Sequence, residues 1–247
     1  MVKIDLDNAT VEFRVLSERD KSLRGSVLRP IIGANVRRGS RSAVHVRALD
    51  SVSLAVGQGE KLGIMGSNGS GKTTLLRVLS RVYRPTGGVA AVEGSVAALS
   101  DTTLGMNPEA SGVANIFLRG ALLGMSKDEI KVRLDEIVDF SGLGDFIRMP
   151  MRTYSSGMQL RLSFSVSTVI APDILVMDEW LAVGDEAFRK KAADRLSALL
   201  NDSKILALAS HSRGLLEEIC NRGIIMERGK IVRDGPIADV TSEYFAG

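Results

Sequence analysis

Cysteine is nearly absent from this chain of 247 residues; Cys220 is the only one. No intramolecular disulfide can form, which suits a reducing compartment and excludes a disulfide-stapled secreted scaffold. No window reaches the roughly 18 consecutive apolar residues that read as a membrane span. The longest uncharged stretch, Leu162–Pro172, also carries Ser and Thr. The opening Met1–Thr10 alternates apolar and charged residues and lacks the apolar core of a signal peptide. Aromatic residues are only 4% of the chain, and none stands between Phe13 and Tyr83. No internal repeat, heptad run or Asn-Lys-x-Asp guanine-reading motif occurs, so a repeat solenoid, a long coiled coil and an ordinary GTPase are set aside.

What is present is the composition of a folded domain. Hydrophobic residues are 45% and charged residues 25%, which excludes intrinsic disorder as the main reading. The length fits one large domain, or one domain with a small insert. Thirty-two Lys and Arg against 29 Asp and Glu leave a net charge of +3. A basic face of that kind meets nucleic acid, anionic lipid or a phosphate ligand equally well.

Val11–Val15 reads as a strand, and Leu49–Val56 as a second that ends at Gly57-Gln58-Gly59. Between them, Arg14–Arg47 holds nine basic residues against Glu18 and Asp20, broken by Pro30, Gly33 and Gly39. This is the pattern of a long insert with one short helix at most. It suits a solvated loop, a face for anionic headgroups or, less well for want of stacking aromatics, a nucleic-acid face. Lys61–Met65 reads as a buried strand and Lys72–Ser80 as a helix. The stretch 101–170 is helix-rich, with a capping box at Ser126 and Glu129 ahead of Ile130, Leu134 and Ile137. Strands are expected at Ile174–Met177 and Ile205–Ala209 with helix Glu186–Leu200 between them. A hairpin over Gly223–Val232, turning at Arg228-Gly229, and a short tail complete the chain. The class is α/β, interrupted by a helical insert.

Gly66-Ser67-Asn68-Gly69-Ser70-Gly71-Lys72-Thr73 fits G-x-x-x-x-G-K-[ST], followed by Thr74. Glycines let the backbone curl so that successive N–H groups point at phosphate oxygens, and the helix start behind them adds partial positive charge. Lys72 is suited to reach the β- and γ-phosphates, and the Thr73 hydroxyl to ligate Mg²⁺. The apolar run Ile174–Met177 ends in Asp178 and Glu179. A strand parallel to Lys61–Met65 would deliver Asp178 beside Thr73, where a carboxylate holds Mg²⁺ directly or through water. Glu179 is then placed to polarise an attacking water. A nucleoside triphosphatase is the reading; a small-molecule kinase stays open, although it would not need an acidic pair in this form.

Three further segments carry a family resemblance. Tyr154-Ser155-Ser156-Gly157-Met158-Gln159 resembles the signature motif of ATP-binding-cassette (ABC) ATPases. His211 resembles their switch histidine, and Ala182-Val183-Gly184-Asp185 stands where their D-loop does. The wording around Tyr154–Met158 and Asp178–Asp185, with Asn107–Gly112 and Asn115-Ile116, resembles the ATPase subunits of bacterial polysaccharide exporters for O-antigen, capsule or teichoic acid. The resemblance implies an ABC nucleotide-binding domain: an antiparallel β subdomain (1–60, with the basic insert 14–47), a RecA-like core (61–100 and 171–247) and a helical subdomain (101–170). It implies ATP and Mg²⁺ as ligands, with Ser155, Ser156 and Gly157 closing on the γ-phosphate held by a second copy, and catalytic roles for Glu179, His211 and Asp185.

The implied assembly is a homodimer beneath two membrane-spanning permease subunits, at the cytoplasmic face of the bacterial inner membrane, with no nucleic acid bound. The implied cargo is a lipid-linked polysaccharide. The alternatives are another export cargo, or a soluble ABC ATPase acting on nucleic acid or ribosomes. The chain ends at Gly247, so the C-terminal sugar-binding domain of some O-antigen exporters is not expected. Two departures stand out. No glutamine occupies the family's Q-loop position near Asp101 and Thr102; Gln58 and Gln159 are the only two in the chain. No aromatic stands between Phe13 and Tyr83, in the segment from which the family stacks a ring on adenine, which leaves His45, Arg47 or neither for that contact. Trp180 reads as core filling or as a neighbour of the catalytic carboxylate, and Cys220 as a small buried hydrophobe.

Overall fold

A computed structural model describes residues 1–16, 35–38, 43–99, 105–179 and 186–246. The chain divides into two compact units, and the class is α/β, as the motif order implied. The first unit comprises Met1–Gly94, Val176–Glu179 and Lys204–Gly247; the second comprises Ser95–Leu175 and Trp180–Ser203.

The first unit contains an antiparallel sheet of β1 (Lys3–Leu16), β2 (Asn35–Arg38), β3 (Ala43–Val56) and β5 (Gly87–Glu93), in the order β2-β3-β1-β5. Ile4 and Leu6, then Ala9 and Val11, are buried at a period of two, interrupted by a register shift between Leu6 and Ala9. The first strand is therefore longer than Val11–Val15, and the second begins at Ala43 rather than Leu49. Part of the basic segment is also sheet, because Asn35–Arg38 pairs with Val44–Arg47. Cross-strand pairing decides this, not the segment's own periodicity. Residues 17–34 and 39–42 lie outside the described residues. Gly87–Glu93, in the stretch read as core, pairs with β1.

The same unit carries β4 (Lys61–Met65), β8 (Ile205–Ala209), β9 (Arg222–Glu227), β10 (Lys230–Pro236) and the end of β7 (Ile174–Asp178), ordered β10-β9-β4-β8-β7. Strand β4 pairs in parallel with both β8 and β9. The runs Leu62–Met65 and Ile205–Ala209 are buried throughout, as strands covered on both faces must be. Helix α1 (Lys72–Leu79) follows the Gly-rich loop, and α7 (Arg213–Ile219) follows β8. The tail expected after the hairpin is helix α8 (Ile237–Ala246), which buries Ile237, Val240 and Thr241 at helical spacing. Gly223 permits this close packing: a Cβ there would lie 3.0 Å from Ile237 and 3.1 Å from Val240. Arg222 braces the sheet with ion pairs to Asp234 at 2.6 Å and Glu60 at 2.8 Å. Cys220 is buried, and that burial pushes its thiol up to about 12, with Lys61 partly opposing, so it stays an inert thiol.

The second unit holds β6 (Val96–Ala98) and α2 (Gly112–Leu122), α3 (Lys127–Val132), α4 (Leu134–Ser141), α5 (Ser156–Ser167) and α6 (Glu186–Asp202). The Ser126–Glu129 capping box forms as its sequence specifies. Ile116, Ile130, Ile137, Leu162 and Val166 build one core cluster. Phe164 and Phe188 build another, with Phe140 against it. Asn115 is fully buried. Its Nδ2 donates to the carbonyls of Asn107, Ala110 and Ser111 at 2.9, 3.2 and 3.0 Å, and its Oδ1 accepts from the Asn107 N–H at 2.6 Å. One side chain thus engages one N–H and three carbonyls of the 107–111 turn. Replacing it leaves the Asn107 N–H without that acceptor, while the three carbonyls keep only their backbone donors Ala110, Met151 and Asn115. Asn115→Ala is expected to cost about 2–3 kcal/mol in urea unfolding and to deprotect the amides of 107–111 in hydrogen exchange.

Candidate active site

The phosphate loop joins β4 to α1. Gly66 has φ +148°, and a Cβ there would meet the Met226 carbonyl at 2.4 Å and Ser70 Oγ at 2.6 Å. Gly71 has φ +110°, and a Cβ there would meet the Ala48 carbonyl at 2.6 Å. Only glycine fits either place. Gly71 also serves as the N-cap of α1 and offers no side-chain cap, so the helix start keeps N–H groups for a ligand. Ser67, Asn68 and Gly69 are exposed, while Ser70 is buried with its Oγ unpaired among the described residues.

Lys72 is 9% exposed and folds back over the loop, its Nζ donating to the Gly66 carbonyl at 2.5 Å and the Ser67 carbonyl at 3.2 Å. Burial holds its ammonium below the usual lysine range, partly offset by the carboxylates of Asp178 and Glu179. Thr73 Oγ1 donates to Asp178 Oδ2 at 3.0 Å, so the two oxygens expected on one cation are neighbours. Thr74 follows, half-buried. Among the described residues no group of three or more His, Cys, Asp and Glu stands ready for a metal. A hydroxyl beside a single carboxylate suits Mg²⁺, which keeps waters and takes phosphate oxygens for its remaining positions. The glycine cradle, the buried ammonium and this oxygen pair fit a magnesium–triphosphate ligand.

Glu179 is exposed with φ +67°, a left-handed conformation that costs a non-glycine residue about 1–3 kcal/mol. Its N–H donates to the Ala209 carbonyl at 2.8 Å, so the last residue of β8 pins the turn. His211, exposed, lies two positions beyond Ala209. Two of the three residues read as catalytic, Glu179 and His211, therefore leave one shared backbone junction. Sequence reasoning could not find the role of Ala209, which acts through its carbonyl alone.

In the second unit, Ser155 caps α5, its Oγ accepting from the Met158 N–H at 3.2 Å, and Ser156 and Gly157 form the helix's first turn. Ser155 and Ser156 are exposed. A Cβ on Gly157 would meet nothing nearer than Ser155 Oγ at 3.9 Å, so this start is open to an approaching group. The turn before it is held from behind. Tyr154 is buried, with its hydroxyl donating to the Phe146 carbonyl at 2.6 Å. Burial pushes that phenol up, the Gly112 amide opposing. The N–H groups of Met151 and Arg152 donate to the carbonyls of Ala110 and Pro108 at 2.9 and 2.8 Å. The Asn115 turn and the lead-in to α5 are thus one hydrogen-bonded body. The Asn107–Gly112 and Asn115 wording was a sequence signal, but its partner segment Met151-Arg152 was not.

Asp185, with Trp180, the segment Ala182–Asp185, and Asp101 and Thr102, lies outside the described residues. The two candidates for adenine stacking both have protein partners. His45 Nδ1 lies 3.9 Å from Glu12, and Arg47 pairs with Asp50 at 2.9 Å. The aromatics bounding the gap, Phe13 and Tyr83, meet edge to face at 5.6 Å, and Arg77 lies over Tyr83.

Residues 49–182 match the sequence profile of a family described as ABC transporter. The O-antigen export system ATP-binding protein RfbB of Myxococcus xanthus is 41% identical over 93% of this chain, which spans 54% of that protein's length. The corresponding RfbE of Yersinia enterocolitica is 38% identical over 95% of this chain and 98% of its own length. The teichoic acids export ATP-binding protein TagH of Bacillus anthracis is 38% identical over 83% of this chain and 37% of its own. Among solved structures, a dimeric ATP-binding cassette in a post-hydrolysis state bound to ADP and Pi superposes with a TM-score of 0.67. It is 19% identical, over 95% of this chain and 98% of that one, and so shares the fold.

The depressed pKa of Lys72 has a checkable sign. Burial makes the group deprotonate below the ordinary lysine value of about 10.4 in the ligand-free protein, and a triphosphate bound here would need it as ammonium. ATP affinity is expected to fall as pH rises, starting below that value, in equilibrium titrations with a fluorescent nucleotide. Lys72→Ala is expected to bind weakly and to lose this pH dependence.

Proposed function

Because this chain belongs to the ABC transporter family, among the ATP-binding subunits of bacterial polysaccharide export systems, we propose that it hydrolyses ATP to drive a lipid-linked polysaccharide across the inner membrane. The observation that carries the chemistry is the Thr73–Asp178 contact at 3.0 Å, with Glu179 next in the chain and held in a left-handed turn. Lys72 and the N–H groups of the Gly66–Gly71 loop bind the β- and γ-phosphates. Thr73 and Asp178 would hold Mg²⁺, which would supply charge neutralisation at the phosphate oxygens. The Glu179 carboxylate accepts a proton from the attacking water, and its pinned backbone limits where that carboxylate can swing. His211, leaving the same junction, donates toward the terminal phosphate and keeps the water in line.

The open start of α5 supplies the other half of the site. Ser155, Ser156 and Gly157 of one copy cover the triphosphate held by its twin, so that two nucleotides close a homodimer. Closed and open dimers differ in their affinity for the uncleaved nucleotide, and that difference biases the movement. Asp185 completes the junction between the copies. Two permease subunits receive the movement at the cytoplasmic face of the inner membrane, where this chain sits as a peripheral subunit. No helix among the described residues is long and apolar enough to cross a membrane. O-antigen and teichoic acid, named in the relatives, mark the cargo class as a cell-surface glycan on a lipid carrier.

Glu179→Gln keeps the shape of the side chain and removes its basicity. Steady-state phosphate release is expected to fall by about a hundred- to ten-thousand-fold while ATP binding persists. The same variant is expected to elute as a dimer in ATP and as a monomer without it. Undiminished turnover would sink the assigned role of Glu179, and failure to dimerise would sink the shared site.

A further inference from the structure

The turn between β9 and β10 is wedged against the back of the phosphate loop. Arg228 and Gly229 have φ +48° and +81°, the pair of positive values that a two-residue type I′ hairpin demands. Both polar backbone groups of Gly229 are engaged. Its N–H donates to the Ser70 carbonyl in the loop at 2.8 Å, and its carbonyl accepts from the Asp50 N–H in β3 at 2.9 Å. A Cβ on Gly229 would lie 2.8 Å from the Ala48 carbonyl, the same oxygen that forbids a Cβ on Gly71. Loop, turn and strand β3 therefore meet around one carbonyl with no room for a methyl group.

Charge closes this junction. Asp50, 14% exposed, pairs with Arg47 Nη1 at 2.9 Å and with Lys230 Nζ at 3.3 Å. Burial pushes the Asp50 carboxyl up, but these two cations outweigh it and hold the group below its ordinary range. Lys230 directly follows Gly229, so the ion pair and the backbone bonds clamp the same turn to the same strand. A phosphate loop must keep its N–H groups aimed before the ligand arrives, since ordering it on binding subtracts from affinity.

We propose that the Arg228-Gly229 turn is a latch that holds the phosphate loop in its ligand-ready shape, with Gly229 and Asp50 as positioning residues for nucleotide binding. The nucleotide part rests on the function proposed above; the loop-ordering part does not.

The test uses the full chain and three variants: Gly229→Ala, Asp50→Asn and Gly59→Ala. Gly59 also has positive φ, +86°, but a Cβ there meets nothing within 4 Å, so it reports backbone strain without a clash. The readouts are hydrogen exchange of the 66–71 amides without nucleotide, MgATP affinity, and the thermal midpoint. Gly229→Ala and Asp50→Asn are each expected to speed exchange at 66–71 and to weaken MgATP binding about tenfold. Gly59→Ala is expected to change neither, even where its thermal midpoint falls equally. Wild-type exchange at 66–71 in both Gly229→Ala and Asp50→Asn would overturn the latch. If Gly229→Ala does not fold, Asp50→Asn decides alone. A wild-type chain that binds no MgATP would refute the proposed function, and the exchange comparison would still uphold or overturn the latch.

Discussion

The contact between Thr73 Oγ1 and Asp178 Oδ2 joins residues 105 positions apart, and the chemistry assigned to this protein depends on it. In the proposed site both oxygens would be presented to one divalent cation, although they come from distant parts of the chain. The first unit produces that point from strands with little freedom. Strand β4 ends at the phosphate loop, β7 ends at Asp178, and β8 lies between them in the sheet order. All three are apolar and buried, so a slip along the sheet would break ladder hydrogen bonds in a dry interior. Core packing thereby fixes the position of two polar groups at its edge.

Around this point the protein accepts local strain and close approach. Glu179 is left-handed without being glycine, and Gly66, Gly71 and Gly229 stand where a single methyl group would collide with a carbonyl. Residues that contradict their local preferences are expected where geometry matters more than stability. The cost is spread over backbone bonds that look ordinary by themselves, such as Glu179 N–H to Ala209 and Gly229 N–H to Ser70. Each ties a segment of the proposed site to the end of a strand or to the turn beside it, so the sheet sets the precision of that site.

The second unit solves a different problem. The start of α1 has no side-chain cap, whereas the start of α5 is capped by Ser155 and still presents small, exposed residues. One helix start is bare and lies under a buried lysine; the other is stable by itself and faces outward. The shared site proposed above would need such an outward half, which must keep its shape while no ligand is present. The Asn115 network and the buried Tyr154 provide that shape, through a turn whose polar backbone groups are satisfied inside the unit.

Much of this was legible from residue order. The phosphate loop, the acidic pair, the capping box and the buried strands are local patterns whose physics is complete within a few residues, and the structure puts each in its expected element. The lengths of β1 and β3, the strand at Asn35–Arg38, the strand at Gly87–Glu93 and the helix Ile237–Ala246 were not legible. Their stability comes from partners far away in the chain: β1 against β3 and β5, and α8 against Gly223. The residue types of the site are thus a property of the sequence, since phosphate and metal chemistry admit few side chains. The 3.0 Å approach of Thr73 to Asp178, the left-handed turn of Glu179 and the seating of Gly229 behind Ser70 belong to the tertiary structure, because only packed strands bring main-chain carbonyls to bear on residues they do not neighbour.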